Sequence, residues 1–320
     1  MGIPLCPHST RTASPHDRSD YGNLAALRSD VTPGGYDTDP RDILTRPSPP
    51  PDLVLSYGPG QDHVADLWLP VRAAGMDGRP GAPLVVLLHG GFWRAAYDRS
   101  HAGPLASALS SAGYAVCVPE YRRTGQAGGG WPGTFDDVAA AVDALPGLAA
   151  EAAAGLVDPL AVLLAGHSAG GHLALWAAAR DRLPADAPWH PPARPVRGVV
   201  GLAAVSDLAA CHERDLGSGA AALLMGGGPD RYPGRYALVD PARLLPVGVP
   251  VRLVHGDLDD VVPCAMSLDY ADRAARANGD VACDALPGRG HFDVIDPLSG
   301  AWPRVLAAFC ALIPPPGQPG

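Results

Sequence analysis

From Leu53 onward, apolar residues gather in short, mostly unbroken runs separated by longer stretches with helical spacing. Leu84 to Leu88, Tyr114 to Pro119, Leu160 to Ala165, Val196 to Val205, Pro250 to Val254 and Val281 to Leu286 read as strands. Runs with no polar alternation belong in a parallel sheet covered on both faces. Asp62 to Val71 instead alternates apolar and polar positions, the pattern of a half-exposed edge strand. Tyr97 to Ser111, Trp131 to about Ala154, Leu173 to Ala179, Ala265 to Ala277 and about Ser299 to Leu312 read as helices, and Pro146-Gly147 predicts a break in the second. Strand and helix alternate throughout, so the expected class is α/β, a mostly parallel central sheet flanked by helices over residues 53–313.

Two stretches break this rhythm. Residues 208–249 carry short apolar pieces cut by Gly226-Gly227-Gly228-Pro229 and Tyr232-Pro233-Gly234, a poor core and a suitable small cap insertion. Residues 1–52 are rich in Pro, Ser, Thr, Asp and Arg and end in Pro47-Ser48-Pro49-Pro50-Pro51. Only Tyr21 to Val31 has helical periodicity there, so this segment reads as a disordered or loosely attached arm, and 314–320 as a tail.

Composition removes several classes of function. The chain of 320 residues is 47% hydrophobic and carries a formal net charge of −9, with no basic run to meet nucleic acid or an anionic membrane. All 24 Lys and Arg residues are Arg. Without lysine there is no Schiff-base amine, no P-loop lysine and no Ser-x-x-Lys nucleophile. The six cysteines (Cys6, Cys117, Cys211, Cys264, Cys283 and Cys310) are scattered without a Cys-x-x-Cys pair, as expected of reduced thiols in a cytoplasmic protein. No signal peptide or membrane-spanning run is expected. Met1-Gly2 lacks the downstream Ser or Thr of a myristoylation signal. Nothing in the pattern assigns an oligomeric state.

The candidate chemistry begins at Gly166-His167-Ser168-Ala169-Gly170-Gly171, where a strand-length apolar run turns sharply into a helix. The Gly-x-Ser-x-Gly pattern in that context is a nucleophile elbow, in which glycines permit a turn tight enough to lift the serine hydroxyl clear of the sheet. A serine hydroxyl needs a base to take its proton and a carboxylate to orient that base. Of eleven histidines, His291 lies in the Gly-flanked loop after the last strand and is the expected base. His8, His16 and His63 precede the core or lie on an edge strand, and His101, His190 and His212 fall in a helix, a loop and the cap. His167 and His172 flank the serine without facing it, and His89 and His255 begin loops where backbone bonding is usual.

The carboxylate is expected to be Asp259, at the loop tip of Gly256-x-x-Asp259-x-x-Val262-Pro263, with Asp257 and Asp207 as alternatives and Asp260 facing water. His89-Gly90-Gly91-Phe92-Trp93 follows a buried strand, and its glycines let backbone N–H groups point into a site. Glu120 with Arg122 and Arg123 reads as a structural ion pair. Asp136 and Asp137 read as helix-start residues rather than metal ligands, since no nearby His completes a set. Every one of the triad and oxyanion candidates lies at the carboxyl end of a predicted strand, where ligands of such sheets bind.

With those motifs in view, residues from about Leu53 to Leu312 resemble the α/β-hydrolase superfamily, in its esterase/lipase and arylformamidase (kynurenine formamidase) neighbourhood. The order Ser168, Asp259, His291 is that of the superfamily. His89-Gly90-Gly91-Phe92-Trp93 and His291-Phe292-Asp293 are similar to the formamidases. The hormone-sensitive-lipase-like esterases usually have a third glycine where Phe92 stands. Prolyl oligopeptidases share the elbow, but the chain lacks room for their propeller. The resemblance implies acylation of Ser168 through His291, with oxyanion N–H groups from Gly91, Phe92 and Ala169 and neither metal nor organic cofactor. The substrate would be a small ester or amide, N-formylkynurenine being the narrower expectation, and Trp93, Tyr97 and Trp131 with the cap would line its pocket. A hydrolase fold that only binds ligands is the competing class.

Overall fold

The computed structural model describes residues 39–70, 81–191 and 196–315. Most of the expected N-terminal arm, with Tyr21 to Val31, Cys6, His8 and His16, lies outside the described residues, and so does the end of the tail.

Among the described residues, eight strands form one sheet in the order β1-β2-β4-β3-β5-β6-β7-β8. They are β1 (Leu53–Ser56), β2 (Val64–Trp68), β3 (Ala82–Leu88), β4 (Ala115–Pro119), β5 (Val157–His167), β6 (Val196–Leu202), β7 (Val251–Gly256) and β8 (Val281–Leu286). Only the β1–β2 and β2–β4 pairs are antiparallel; every pairing from β4 to β8 is parallel. The carboxyl ends of β3, β5, β7 and β8 therefore share one edge of the sheet. This is the expected α/β class with a mostly parallel sheet.

Side-chain alternation builds a core on each face. Along β3, Leu84, Val86 and Leu88 enter one apolar cluster while Val85 and Leu87 enter the other. The first face is covered by α2 (Gly133–Ala152), α3 (Ala169–Ala178) and α7 (Cys264–Arg276); the second by α1 (Gly103–Ser111) and α8 (Trp302–Cys310). Helix α7 shows how little sequence such a layer needs: Met266, Tyr270 and Ala274, spaced by one turn, are its buried apolar stripe.

Four expectations at the element level differ from the structure. The edge is β1, a strand that the hydrophobic pattern did not predict, and β2, expected to be a half-exposed edge strand, lies between β1 and β4 with Ala65 to Trp68 buried. Helix α2 runs unbroken through Pro146. Val138, Ala141, Val142, Leu145 and Ala149 are buried before and after the proline, and their packing offsets a lost backbone bond worth ~3 kcal/mol. The helix expected from Tyr97 instead starts as a 3-10 turn, Arg99–Ala102, capped by Asp98, before α1 proper. Between β6 and β7 lie three short helices, α4 (Leu208–Glu213), α5 (Ala220–Met225) and α6 (Pro233–Val239).

The last part of the Pro-rich stretch is packed on the domain. Ile43 is 1% exposed in the cluster that holds Trp68, Trp68 Nε1 donates to Pro49 O at 3.1 Å, and Arg46 forms a bidentate pair with Asp296. A single buried isoleucine in a polar, proline-rich context carries no periodicity, so composition alone cannot show it. Among the described residues no helix is long and apolar enough to cross a membrane, and Cys117, Cys211, Cys264 and Cys283 are free thiols.

Candidate active site

The turn after β5 places Ser168 at φ 55 and ψ −118, directly before α3. Few non-glycine residues adopt this conformation, which is kept only where surroundings over-determine it. Here they do. Ser168 N–H donates to Leu202 O at 2.9 Å, and Ser168 O accepts from Val205 and His172 at 3.1 and 3.2 Å. A Cβ on Gly166 would meet Gly170 O at 2.1 Å, and one on Gly170 would meet Leu88 O at 2.0 Å. The glycines of the elbow are thus required by approach to backbone that no side-chain shift relieves.

The loop after β3 is also strained. Gly91, Phe92 and Trp93 have φ values of 107, 50 and 57, three successive left-handed residues. Arg94 N–H closes the turn on Gly91 O at 3.0 Å, and Thr124 donates to Trp93 O through its N–H at 2.8 Å and its hydroxyl at 2.7 Å. His89 braces the loop's start, its Nδ1 lying 2.8 Å from Gly90 O and its Nε2 2.9 Å from Glu120 Oε1. Among the described residues the N–H groups of Gly91 and Phe92 have no hydrogen-bond acceptor. Ala169, first in α3, has no acceptor within its helix. Trp93 ties the two elements together, its indole donating to Ala169 O at 3.2 Å.

Beyond β7 and β8 the structure joins Asp259 to His291. His291 Nδ1 donates to Asp259 Oδ2 at 2.7 Å, while Asp259 Oδ1 accepts from Val261 and Val262 N–H, both at 2.8 Å. Burial pushes the Asp259 carboxyl up, but hydrogen bonds from His255 and His291 outweigh it and hold the group well below the usual carboxylate range. His167 connects this pair to the elbow: its Nε2 donates to His291 O at 3.1 Å, and the two rings lie 4.6 Å apart. Burial and the neighbouring His291 hold His167 well below an ordinary imidazole, so it is neutral at pH 7. No hydrogen bond joins Ser168 Oγ to His291 among the described residues. Such bonds commonly tighten only when substrate arrives.

The alternative acids are engaged elsewhere. Asp257 accepts from Gly288 N–H at 2.7 Å, and Asp207 caps α4 through Ala210 N–H and pairs with Arg273 at 2.7 Å. Glu120 and Arg123 are an ion pair at 3.1 Å, as expected. Asp137 does have a histidine beside it: His63 Nε2 lies 2.9 Å away, brought in from before β2, and Arg122 completes the cluster. Among the described residues no group of His, Cys, Asp and Glu could hold a metal ion.

Each of the three aromatic pocket candidates is packed against its own neighbours. Trp93 is fully buried against Ala169 and His172 and faces no open space. Tyr97 packs against Gly91, where an added Cβ would come within 2.5 Å of it. Trp131 is half-buried against Trp189, 5.0 Å away, with the Arg235 guanidinium over its ring at 5.5 Å. Cavities of ≈ 260 Å³ and ≈ 340 Å³ lie beside α7 and beside β8, and neither is lined by Ser168, Asp259 or His291.

The model of one family, BD-FAE, matches residues 66–273. The chain belongs to the BD-FAE family, an α/β-hydrolase-type esterase family. Solved structures agree on the fold. A truncated carbohydrate esterase from gut microbiota superposes with TM-score 0.66 at 20% identity, covering 82% of this chain and 98% of the other. Esterase B from Lactobacillus Rhamnosis gives 0.67 at 18% identity, covering 86% and 88%. Propionate-bound esterase Est2 from Thermogutta terrifontis gives 0.63 at 20%, covering 84% and 96%. No curated protein matches the chain. This BD-FAE member is a hydrolase of the esterase type.

Four side chains near the site were not singled out for the parts they play. Trp93, Arg94 and Asp240 act through backbone atoms, most of them distant in sequence, which no spacing encodes, while His255 acts through the side chains of Asp259 and Ser267. His255 carried one usable signal, its position one turn-length before Asp259.

Proposed function

We propose that this protein is a serine carboxylesterase working through an acyl-enzyme on Ser168. The Ser168 hydroxyl oxygen attacks the ester carbonyl carbon while its proton passes to His291 Nε2. The N–H groups of Gly91, Phe92 and Ala169 receive the oxyanion. His291 then gives its proton to the departing alcohol oxygen as the carbon–oxygen bond breaks. Water attacks the acyl-enzyme, its proton again taken by His291, and the carboxylic acid leaves as Ser168 recovers its hydrogen. Asp259 stays ionised throughout and holds the His291 tautomer. The observation that carries this reading is the Asp259–His291 bond, 2.7 Å long, tied through His167 to the strained elbow. The free thiols at Cys117, Cys211, Cys264 and Cys283 fit a cytoplasmic location.

A fluorophosphonate probe tests the assignment. Labelling of the folded protein is expected at Ser168, and loss of labelling together with a fall in kcat on the order of 10⁶-fold is expected for Ser168→Ala. An unlabelled wild type would leave only a ligand-binding hydrolase fold. A second reading, aryl formamidase, is favoured by His-Gly-Gly-x-Trp and His-Phe-Asp. A turnover panel of N-formylkynurenine against short and long acyl esters separates the two: brisk ester cleavage with an inert formamide dismisses it.

A further inference from the structure

His255 is fully buried at the end of β7, and its bonds reach the candidate triad. Its Nε2 lies 3.0 Å from Asp259 Oδ2 and 2.9 Å from Val262 O, while its Nδ1 lies 2.7 Å from Ser267 Oγ on α7. An ionised carboxylate and a carbonyl only accept, so Nε2 carries the hydrogen, and in the neutral ring the Ser267 hydroxyl donates to Nδ1. Asp259 Oδ2 is the same oxygen that His291 uses. One carboxylate oxygen therefore serves two imidazoles, while the other serves two backbone N–H groups.

A histidine needed only for packing would be satisfied by Val262 O and Ser267. The third bond, shared with His291, is what packing does not require. We infer that His255 is a positioning residue that limits the hold of Asp259 on His291, by fixing the carboxylate and occupying part of the Oδ2 charge that would otherwise serve His291 alone. A carboxylate devoted entirely to His291 would stabilise its protonated form further, and that form cannot accept the Ser168 proton. His255 thus keeps the base available at lower pH. This rests on the proposed Ser168, Asp259 and His291 assignment.

Other charges around the pair are the same with or without His255. On the loop after β7 stand Asp257 and Asp260, and at the start of α7 the Cys264 thiol, pushed up by burial and by Asp259. From the loop after β8, Arg289 and Asp293 lie 3.6 Å apart, with Asp293 Oδ2 accepting from Gly290 N–H. From β5 comes neutral His167.

The test is the pH profile of kcat/KM on a short-chain aryl ester, with fluorophosphonate labelling rates as a second readout. His255→Leu removes the donor; His255→Gln keeps an N–H near the Nε2 position; Ser267→Ala is a mild cut that weakens the donor through the far side of the ring. The acid limb is expected to move to higher pH by about one unit in His255→Leu, less in Ser267→Ala, and to return toward wild type in His255→Gln. Should His255→Leu fail to fold, Ser267→Ala against wild type decides the matter by the direction of its smaller shift. A lowered plateau with an unmoved limb, or a limb moved to lower pH, overturns the inference and leaves His255 as packing. Turnover that survives Ser168→Ala overturns the triad assignment instead, so the two failures are told apart.

Discussion

Ser168 and the three residues Gly91 to Trp93 hold left-handed backbone only because neighbouring groups leave no alternative. Gly91 has φ 107, and a Cβ there would lie 2.5 Å from Tyr97 Cβ, so Gly91→Ala is strained twice over. Its kcat is expected to fall on the order of 10²-fold or more with little change in circular dichroism, measured on the ester that wild type prefers. Trp93→Phe keeps an aromatic ring, though a smaller one, and removes the donor to Ala169 O, and a smaller loss in kcat with unchanged KM is expected. The tight turns at Ser168 and at Gly91 were legible in sequence because close backbone approach demands glycine, and glycine is visible. The function of Trp93 was not, since an indole at the surface of a pocket and one bonded beneath it are written with the same letter.

Elements carry the next level of control. The loop between α4 and α5 sits on the loop after β3: a Cβ on Gly217 would be 2.7 Å from the Phe92 ring. Arg94 donates to Gly217 O and, at 3.1 Å, to Ser218 O, joining the two loops. Arg94→Met is expected to raise KM and to speed limited proteolysis within 214–219, with mass spectrometry locating the cut; an unchanged cleavage rate would remove Arg94 from this role. Asp240 anchors the start of α4, accepting from Leu208 and Ala209 N–H at 3.0 and 3.2 Å. Burial, and the nearby Asp207 charge, push its carboxyl up to about 6. The folded protein therefore holds this proton more tightly than the unfolded chain, whose carboxyl titrates near 3.8. Stability contributed by protonated Asp240 is complete below about 4 and is lost as pH rises toward 6. Thermal melts of Asp240→Asn between these values should rise relative to wild type with increasing pH. The long helices and the strands from β3 to β8 were readable from periodicity, whereas β1, four residues long, was not, and the alternation of β2 pointed to an edge that β1 in fact covers. The short helices α4 to α6, six or seven residues each, were not, because so few turns cannot display a repeat.

Across the whole molecule, two core layers and one sheet edge account for where the chemistry sits. The bidentate Arg46–Asp296 pair joins the segment before β1 to the turn before α8. Arg46→Ala is expected to cost about 1 kcal/mol in denaturant unfolding, less at high salt, since the pair is partly exposed. The α/β class was legible because parallel strands buried on both faces write continuous apolar runs, whereas the packing of residues 40–52 rests on Ile43 and a few polar contacts. The sheet order also has a consequence for how the molecule is made. Residues 168, 259 and 291 meet only after β7 has paired with β6 and β8 with β7, the last strands synthesised. Parallel pairings across such separations form slowly, and chains of this size commonly pass through partly assembled intermediates. Ester turnover should therefore return later in refolding than helical signal does, and a nascent chain released before Leu286 would be inert toward its substrate.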